Sequence, residues 1–308
     1  MIAILLKTLP FFALIGVGYW AGRVRFFTPE ATAWLTKFVF YFALSAMLFR
    51  FASNLSVAEI WDARFVAAYL WGCGVVYAIA MGVAFWRGIS VEEAAIEAQC
   101  AVIGNTGFLG VPMLVVLMGP EAAGPILMVL SIDLIVFSTI VTLIITGVRQ
   151  GRMSLGIIKA LAIGLLKNPM IVSMALGLAW SATGFAVPAP VNDFMALLGG
   201  AATPGALFAI GASLATKSAE RVAVAGWLSF CKLVLHPSAV AFAAIYLFNV
   251  APGPASVMIA AAALPVAGNV YILAQHFGVA PQRVSASILI STALSILTVT
   301  IVMALVTG

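Results

Sequence analysis

Most ionisable and amide side chains that could do chemistry in this sequence lie singly inside long apolar runs. Asp133 occurs in VLSIDLIVFS, Lys232 in CKLVLHP, and Asn105 with Thr106 in IGNTGFLG. A charged group in an apolar medium is costly unless it becomes neutral, pairs with an opposite charge or binds an ion. These residues are therefore candidates for binding a polar solute or a coupling ion.

Two of the apolar runs also contain residues that interrupt a helix. CAVIGNTGFLGVPML, residues 100–114, has three glycines and Pro112, and ALPVAGNVYILAQHFG, residues 263–278, has Pro265 and Gly268. Glycine costs about 1 kcal/mol relative to alanine inside a helix, and proline removes a backbone donor and clashes with the preceding turn. We therefore expect neither segment to form one continuous helix.

Backbone groups freed by such breaks are tolerated in lipid only where protein covers them or where they line a cavity. The N terminus of a half-helix offers N–H groups and the positive end of a dipole to an anion. This pattern predicts an anion site, to which Asn105, Thr106 and Asn269 would add side-chain donors. The alternative is a pair of proline kinks used for packing, with the asparagines bonded to neighbouring helices.

Composition indicates which elements must position these residues. The chain has 308 residues, of which 64% are hydrophobic and 8% charged, whereas soluble domains have about 25% charged residues. This predicts an integral membrane protein. The basic residues are scattered, so no nucleic-acid partner is expected, and the three cysteines lack metal-ligand spacing, so we expect no metal site and no cofactor beyond a coupling ion.

About ten segments are long enough to cross a bilayer core about 30 Å thick, which takes about 20 apolar residues. Met1 to Trp20 is one full-length apolar run, so no cleavable leader is expected. The predicted spans are residues 2–21, 31–50, 65–86, 95–118, 123–147, 168–186, 191–215, 222–249, 255–277 and 284–306.

The distribution of lysine and arginine predicts the orientation, because cytoplasmic loops carry the excess. Loops after even-numbered spans hold Arg50 and Arg64. Loops after odd-numbered spans hold Arg23, Arg25, Arg87, Arg149, Arg152, Lys159, Lys167, Lys217, Arg221 and Arg283. Both termini should therefore lie outside the cytoplasm, with a cytoplasmic connection from residue 149 to residue 167 dividing the chain nearly in half.

Two units of five spans enter a membrane in opposite directions, which is the construction of an inverted-repeat transporter. We therefore predict one repeat in residues 1–150 and a second in residues 151–308. Two weak internal matches share an offset of 159 residues: LSAMLF at 44–49 with TPGALF at 203–208, and GVPMLVVLMG at 110–119 with NVYILAQHFG at 269–278.

Segments along essentially the whole chain resemble the auxin efflux carrier family, which includes plant auxin exporters and bacterial permeases for malonate, malate and related acids. They are PFFALIGVGYWAGR, GNTGFLGVPML, KNPMIVSMALGL, PGALFAIGASLA, CKLVLHP and ALPVAGNVYILAQHFG.

The resemblance implies an all-α membrane protein of ten helices in two inverted five-helix repeats, with a scaffold and a transport domain. It implies that spans 4 and 9 are broken and cross near the midplane, and that Gly104–Asn105 and Leu264–Pro265, with Gly268 and Asn269 beyond them, hold the substrate carboxylate. Ser45 stands where family members often have a proline, although span 7 keeps Pro204.

The family resemblance also favours a homodimer through the scaffold helices, in the bacterial inner membrane. Plant exporters have a long loop between the halves, and the connection here is short. The resemblance therefore indicates secondary transport of a small organic acid rather than auxin, with an auxin-like aromatic acid as the alternative.

Five residues are candidates for binding the coupling ion, either Na⁺ or H⁺. Asp133 lies nearest the middle of an apolar run, although it could instead be a structural partner of Lys232 or Lys37. Lys232 could attract an anion, although lysine also extends its head group toward water. Glu97 lies near the start of span 4, where it could face water, and Gln275 and His276 follow the break in span 9 near the membrane edge.

Two rival functions remain at this point. An intramembrane serine protease would need Ser213, in GASLA, within hydrogen-bond reach of His236, although we expect His236 to be structural. A channel would need a ring of pore-lining residues, and none is visible in the sequence. We therefore expect no catalytic residue and no enzymatic activity.

Overall fold

The computed structural model of the protein describes residues 2–55, 61–150, 155–216 and 222–307. Throughout these ranges the regular elements are helices, with no β-strand. We number the helices in chain order as α1 Ile2–Arg23, α2 Pro29–Ser53, α3 Ala63–Trp86, α4 Val91–Val102, α5 Thr106–Met118, α6 Pro120–Gln150, α7 Leu155–Lys167, α8 Pro169–Ser181, α9 Ala189–Leu214, α10 Val222–Leu247, α11 Pro252–Ala262, α12 Gly268–Phe277 and α13 Pro281–Thr307.

Several of these helices are long and apolar enough to cross a membrane. In the described ranges they number seven, namely α1, α2, α3, α6, α9, α10 and α13. Helices α7 and α8 form an eighth candidate, bent by 73° between Lys167 and Pro169. The protein is therefore a multi-pass membrane protein. The segments predicted as spans 4 and 9 each consist of two shorter helices, α4 with α5 and α11 with α12.

The segment from residue 149 to residue 167, predicted to be a cytoplasmic connection, is mostly helical. Helix α7 occupies residues 155–167 of it, so most of this connection is not a loop. The reason is its sequence, LGIIKALAIGLLK, which is rich in good helix formers and apolar along most of its length. Three basic residues used to predict the orientation, Arg152, Lys217 and Arg221, lie outside the described residues.

The helices pack mainly in two groups. One group consists of α1, α2, α8 and α9, in which α1 packs along α9 and α2 packs against α8 and α9. The other consists of α3, α4, α6, α10, α11 and α13, in which α3 packs against α4 and α10, and α10 against α11 and α13. Each group draws its helices from both halves of the chain.

Glycines set the spacing within the first group. A Cβ at Gly18 of α1 would collide with the backbone of Phe208, and a Cβ at Gly211 of α9 would collide with the backbone of Ile15. The two helices therefore approach backbone to backbone, which only glycine permits.

Several helices contain π-helical turns, which widen a helix by one residue and often occur at functional sites. They cover Val39–Ala43, Thr106–Gly110, Asp133–Phe137, Cys231–Leu235 and Ala243–Leu247. Thr106, Asp133 and Lys232, three residues selected from the sequence, each lie in one of these turns.

Charged residues cluster at one end of the second group. Glu97 of α4 accepts hydrogen bonds from Arg87 at 2.6 Å and from Arg283 at 2.9 Å, and it is 1% exposed. The possibility that Glu97 faces water is therefore wrong, because the carboxylate is buried between two guanidinium groups. These ion pairs join α3, α4 and α13.

Candidate functional site

The first helix break lies between α4 and α5. Helix α4 ends at Val102 and α5 begins at Thr106. The Asn105 amide donates to the carbonyl of Pro265 at 2.8 Å, and the Ala267 amide donates to the carbonyl of Ile103 at 3.1 Å. Backbone groups released by each break are thus bonded by the other, as the burial of this region requires.

The second break lies between α11 and α12. Helix α11 ends at Ala262, and Pro265 lacks the N–H that would continue its hydrogen-bond ladder. The next amide, that of Val266, would bond Ala262 in a continuous helix but instead donates to Oγ of Ser291 at 3.0 Å. A side chain of α13 therefore stabilises the extended backbone of this break.

Both breaks border one large cavity of about 970 Å³ between the two helix groups. Its wall includes seven of the residues selected from the sequence: Gly104, Asn105, Thr106, Asp133, Gly268, Asn269 and His276. Residues of α2, α6, α7, α8, α9, α12 and α13 form most of the rest of the wall. The cavity thus brings together parts of the chain that are more than 150 residues apart.

Two helix N termini meet this cavity. Helix α5 begins at Thr106, and α12 begins at Gly268, and both residues line the wall. The first amides of a helix have no acceptor within their own helix, and they carry the positive end of its dipole. The cavity therefore combines two groups of N–H donors suited to an anion.

Two asparagines stand beside these termini. Asn105 is the residue before α5 and is 8% exposed, and Asn269 lies in the first turn of α12. The side-chain oxygen of Asn269 is buried and has no hydrogen-bond partner in the described part of the chain. An amide placed in this way can bond a solute that enters the cavity.

Asp133 is held on the cavity wall by two hydroxyl groups. Tyr69 donates to its Oδ1 at 2.9 Å, and Thr106 donates to its Oδ2 at 3.3 Å. The carboxyl group is 2% exposed. Because Thr106 is the first residue of α5, this contact ties Asp133 directly to the first break.

Lys232 is fully buried and is not part of the cavity wall. Its Nζ donates to the carbonyl of Ala262 at 2.5 Å and lies 3.0 Å from Nδ1 of His236. Nδ1 also lies 3.1 Å from the carbonyl oxygen of Ala262, and Nε2 lies 3.1 Å from Sγ of Cys73. Both ring nitrogens of His236 therefore have partners within this cluster, and neither of these partners is Ser213.

The remaining selected residues lie away from the cavity wall. Ser45 donates to the carbonyl of Phe40 within its own helix, and Pro204 is exposed near the start of the second part of α9. Leu264 and Pro265 are buried in the second break. Gln275 is exposed and donates to the Tyr271 hydroxyl at 3.0 Å.

Sequence reasoning missed several residues that shape the site. Tyr69 binds Asp133, and Ser291 binds the second break. Lys37, considered above only as a partner of Asp133, lines the cavity, where its Nζ lies 4.3 Å from the centre of the Trp34 ring. The contact of Tyr69 could have been suspected from the sequence, because its hydroxyl group lies within the apolar run of α3 and needs a hydrogen-bond partner.

The polar groups of the site are backbone amides, side-chain amides and a carboxyl group. In the described ranges no cluster of three or more histidine, cysteine, aspartate or glutamate residues could hold a metal ion. What the arrangement can do is bind an anion by backbone amides and side-chain amides beside a buried carboxyl group.

Comparison with known proteins identifies the family. A model of the family described as membrane transport protein matches residues 3–303. The chain is 32% identical to a protein of Rhizobium meliloti (strain 1021) provisionally named as a malonate transporter, over 95% of this chain and 92% of that one. It is 26% identical to the uncharacterized transporter YfdV of Escherichia coli (strain K12), over 92% and 91%.

A plant protein is also similar. The chain is 22% identical to auxin efflux carrier component 8 of Arabidopsis thaliana, over 92% of this chain and 91% of that one. With the family model covering nearly every residue, the chain belongs to the auxin efflux carrier family of membrane transport proteins.

Proposed function

We propose that this protein is a secondary active transporter of small organic anions, namely mono- or dicarboxylates such as malonate or malate. The anion would bind at the two helix breaks and cross the membrane by alternating access. Similarity to a relative provisionally named as a malonate transporter supports this substrate class.

One observation carries the proposal. The N termini of α5 and α12, which come from different halves of the chain, border the same cavity beside Asn105 and Asn269. A carboxylate accepts hydrogen bonds and is stabilised by the positive ends of helix dipoles. A single proline kink used for packing would not bring two such termini to one cavity.

We further propose ten membrane spans in two inverted repeats, with the two broken spans crossing at residues 103–105 and 263–267. The spacing of the breaks supports this arrangement, since α4 ends at residue 102 and α11 at residue 262, 160 residues later. The repeats would be residues 1–150 and 151–308.

The two packing groups correspond to a scaffold and a transport domain in this proposal. The first group, with its backbone contact at Gly18 and Gly211, would be the scaffold. The second contains both breaks and would carry the bound anion past it. The cavity lies between them, where such movement would open or close it.

Basic side chains on the cavity wall suit a second carboxylate. Lys37 and His276 line the cavity, and Lys37 is exposed to it. We propose that a dicarboxylate places one carboxylate at the helix N termini and the other toward Lys37.

We propose that transport of the anion is coupled to H⁺ and that Asp133 binds the coupling proton. Asp133 is the buried carboxyl group on the cavity wall, and its contact with Thr106 joins it to the anion site. Glu97 is held by two arginines and Gln275 is exposed, so neither is retained as a coupling residue.

An auxin-like aromatic acid is the second candidate substrate. The cavity wall includes the rings of Phe40, Tyr41, Phe108 and Tyr271, and a volume of about 970 Å³ is larger than malonate needs. Aromatic rings provide apolar area and stacking geometry for a ring-containing acid.

The setting that we propose is the inner membrane, with both termini outside the cytoplasm and two copies joined through the scaffold group. The excess of basic residues in loops after odd-numbered spans supports this orientation. A cysteine introduced at position 159 should then not react with an impermeant thiol reagent added to intact cells. Strong labelling would show that the orientation is the opposite of the one proposed.

The test of function is uptake by the purified protein in liposomes. We expect labelled malonate or malate to enter in response to an imposed pH gradient, with competition by unlabelled dicarboxylates. Uptake of indole-acetate, measured in parallel, tests the second candidate substrate, an auxin-like aromatic acid. Protein-dependent uptake of none of these acids under pH, sodium or voltage gradients would refute the proposed substrate class.

A further inference from the structure

At the C terminus of α11, the carbonyl of Ala262 lacks its usual donor from the next helical turn. In a continuous helix the carbonyl of Ala262 would accept from the amide of Val266, but that amide is bonded to Ser291. Carbonyls at a helix C terminus carry the negative end of the dipole. The break thus creates a buried acceptor that attracts a cation.

The cation beside the Ala262 carbonyl is the ammonium group of Lys232. Nζ of Lys232 donates to the Ala262 carbonyl, with His236 as its second partner. The same ammonium group reaches the first break, because a Cβ placed on Gly104 would lie 3.3 Å from Nζ. Lys232 therefore contacts the end of one broken helix and the middle of the other break.

The charges around the Ala262 carbonyl disfavour binding of a second cation beside Lys232. The Asp133 carboxylate interacts electrostatically with Lys232, although no direct ion pair joins them in the described part of the chain. When both groups are ionised, their opposite charges offset each other at the breaks. A metal cation entering beside Lys232 would meet like charge without a second carboxylate.

Transporters with broken helices use unwound carbonyls and half-helix C termini to coordinate a mobile coupling cation. We infer that the Lys232 ammonium is a tethered cation that permanently occupies this position. The inference rests on the proposed function, since it assigns a role to Lys232 in the transport cycle. It goes further in stating that the chain needs no Na⁺ and that removing the ammonium creates a vacant cation site.

The first measurement uses the unaltered protein and needs no transport. Ligands that bind the folded state raise its melting temperature. We expect replacing choline by Na⁺ at constant ionic strength to leave the melting temperature unchanged. A saturable, Na⁺-specific rise would overturn the inference while leaving the proposed function standing.

The second measurement uses Lys232→Met, which keeps the length of the side chain but removes its charge. In liposomes containing choline we expect malonate uptake to fall at least about tenfold, the factor that corresponds to a loss of about 1.4 kcal/mol. Adding Na⁺ or methylammonium should restore part of the rate in a saturable manner. Uptake equal to that of the unaltered protein in choline would contradict the inference, as would a loss that neither cation restores in folded protein.

Lys37→Met is the matched control, since it removes an exposed lysine from the cavity wall. It should show no rescue by either cation. If Lys232→Met does not fold, the inference is decided by the sodium dependence of uptake and melting in the unaltered protein. Absence of protein-dependent uptake of malonate, malate and indole-acetate by that protein would instead refute the proposed function.

Discussion

The first break is held by small residues and hydroxyl groups, whereas the second is held by a proline and a buried cation. At residues 103–105 Gly104 pairs with Val266 in an isolated antiparallel bridge, and Thr106 bonds the carboxyl group of Asp133. At residues 263–267 Pro265 stops the ladder, and Lys232 takes the freed carbonyl of Ala262. Similar backbone geometry is thus produced by different chemistry in the two halves.

This difference separates two roles. The first break contacts a carboxyl group on the cavity wall, so it is suited to sense what enters the cavity. The second break is supported from behind by groups that do not line the cavity, namely Lys232, His236 and Ser291. Substitutions at the two breaks should therefore affect different measurements.

The largest effect is expected for Pro265→Ala. Alanine restores the missing donor and favours a continuous helix by about 3 kcal/mol, which corresponds to a factor of about 100. Transport should fall by about that factor, while the melting temperature stays the same or rises. Uptake and melting measured on the same preparation test this.

Pro112→Ala is the control for this prediction. Pro112 lies inside α5, beyond the first break, next to the π-helical turn Thr106–Gly110. Its replacement should cost less transport than that of Pro265. A Pro265→Ala protein with normal uptake would remove the second break from the proposed site, and a parallel loss of stability would indicate a packing kink.

Asn105→Ala should weaken substrate binding by about 1 to 3 kcal/mol, the cost of leaving a buried charged partner short of a hydrogen bond. Calorimetric titration of the purified protein with malonate measures the change. Asn269→Ala makes the matching change at the second break. An unaltered dissociation constant for Asn105→Ala in folded protein would mean that this amide only packs.

Asp133→Asn distinguishes coupling from binding. Asparagine can keep the contacts with Tyr69 and Thr106, because one side-chain atom accepts and the hydroxyl of Thr106 can also accept. We expect exchange of internal for external substrate to persist, while accumulation driven by a pH gradient is lost. Full gradient-driven accumulation would show that Asp133 does not carry the coupling proton.

The smallest effect is expected for Ser291→Ala. It removes one hydrogen bond from the amide of Val266 and should lower the free energy of unfolding by about 1 to 3 kcal/mol, because that amide is left buried without a partner. Binding of malonate should change little, since Ser291 does not line the cavity. Denaturation of the detergent-solubilised protein measures the loss, and a larger effect on binding than on stability would contradict the assigned role.

The sequence allowed the membrane class, the helical fold and the interruption of the helix near Asn105 to be predicted, because composition and helix-breaking residues act locally. The environment of Glu97 could not be predicted. Its partners Arg87 and Arg283 are 10 and 186 residues away, and their approach depends on how α3, α4 and α13 pack.

Lys232 illustrates the same limit at the site itself. Its position in an apolar run indicated a function, but its partner is a backbone carbonyl, that of Ala262, which no side-chain pattern reveals. Ser45 and Pro204 show the converse, since a family resemblance selected them and neither lies on the cavity wall. Side-chain types can be read locally, whereas the surface of a cavity depends on tertiary packing.

The close contact of α1 with α9 has a consequence for handling the protein. Gly18 and Gly211 leave no room for a Cβ, so no acyl chain or detergent molecule can enter between these helices. Detergent should instead enter the interface between the two helix groups, where the cavity already separates them. Short-chain detergents should therefore inactivate the protein by separating the groups before the α1–α9 pair dissociates, and hydrogen exchange should remain slowest along that pair.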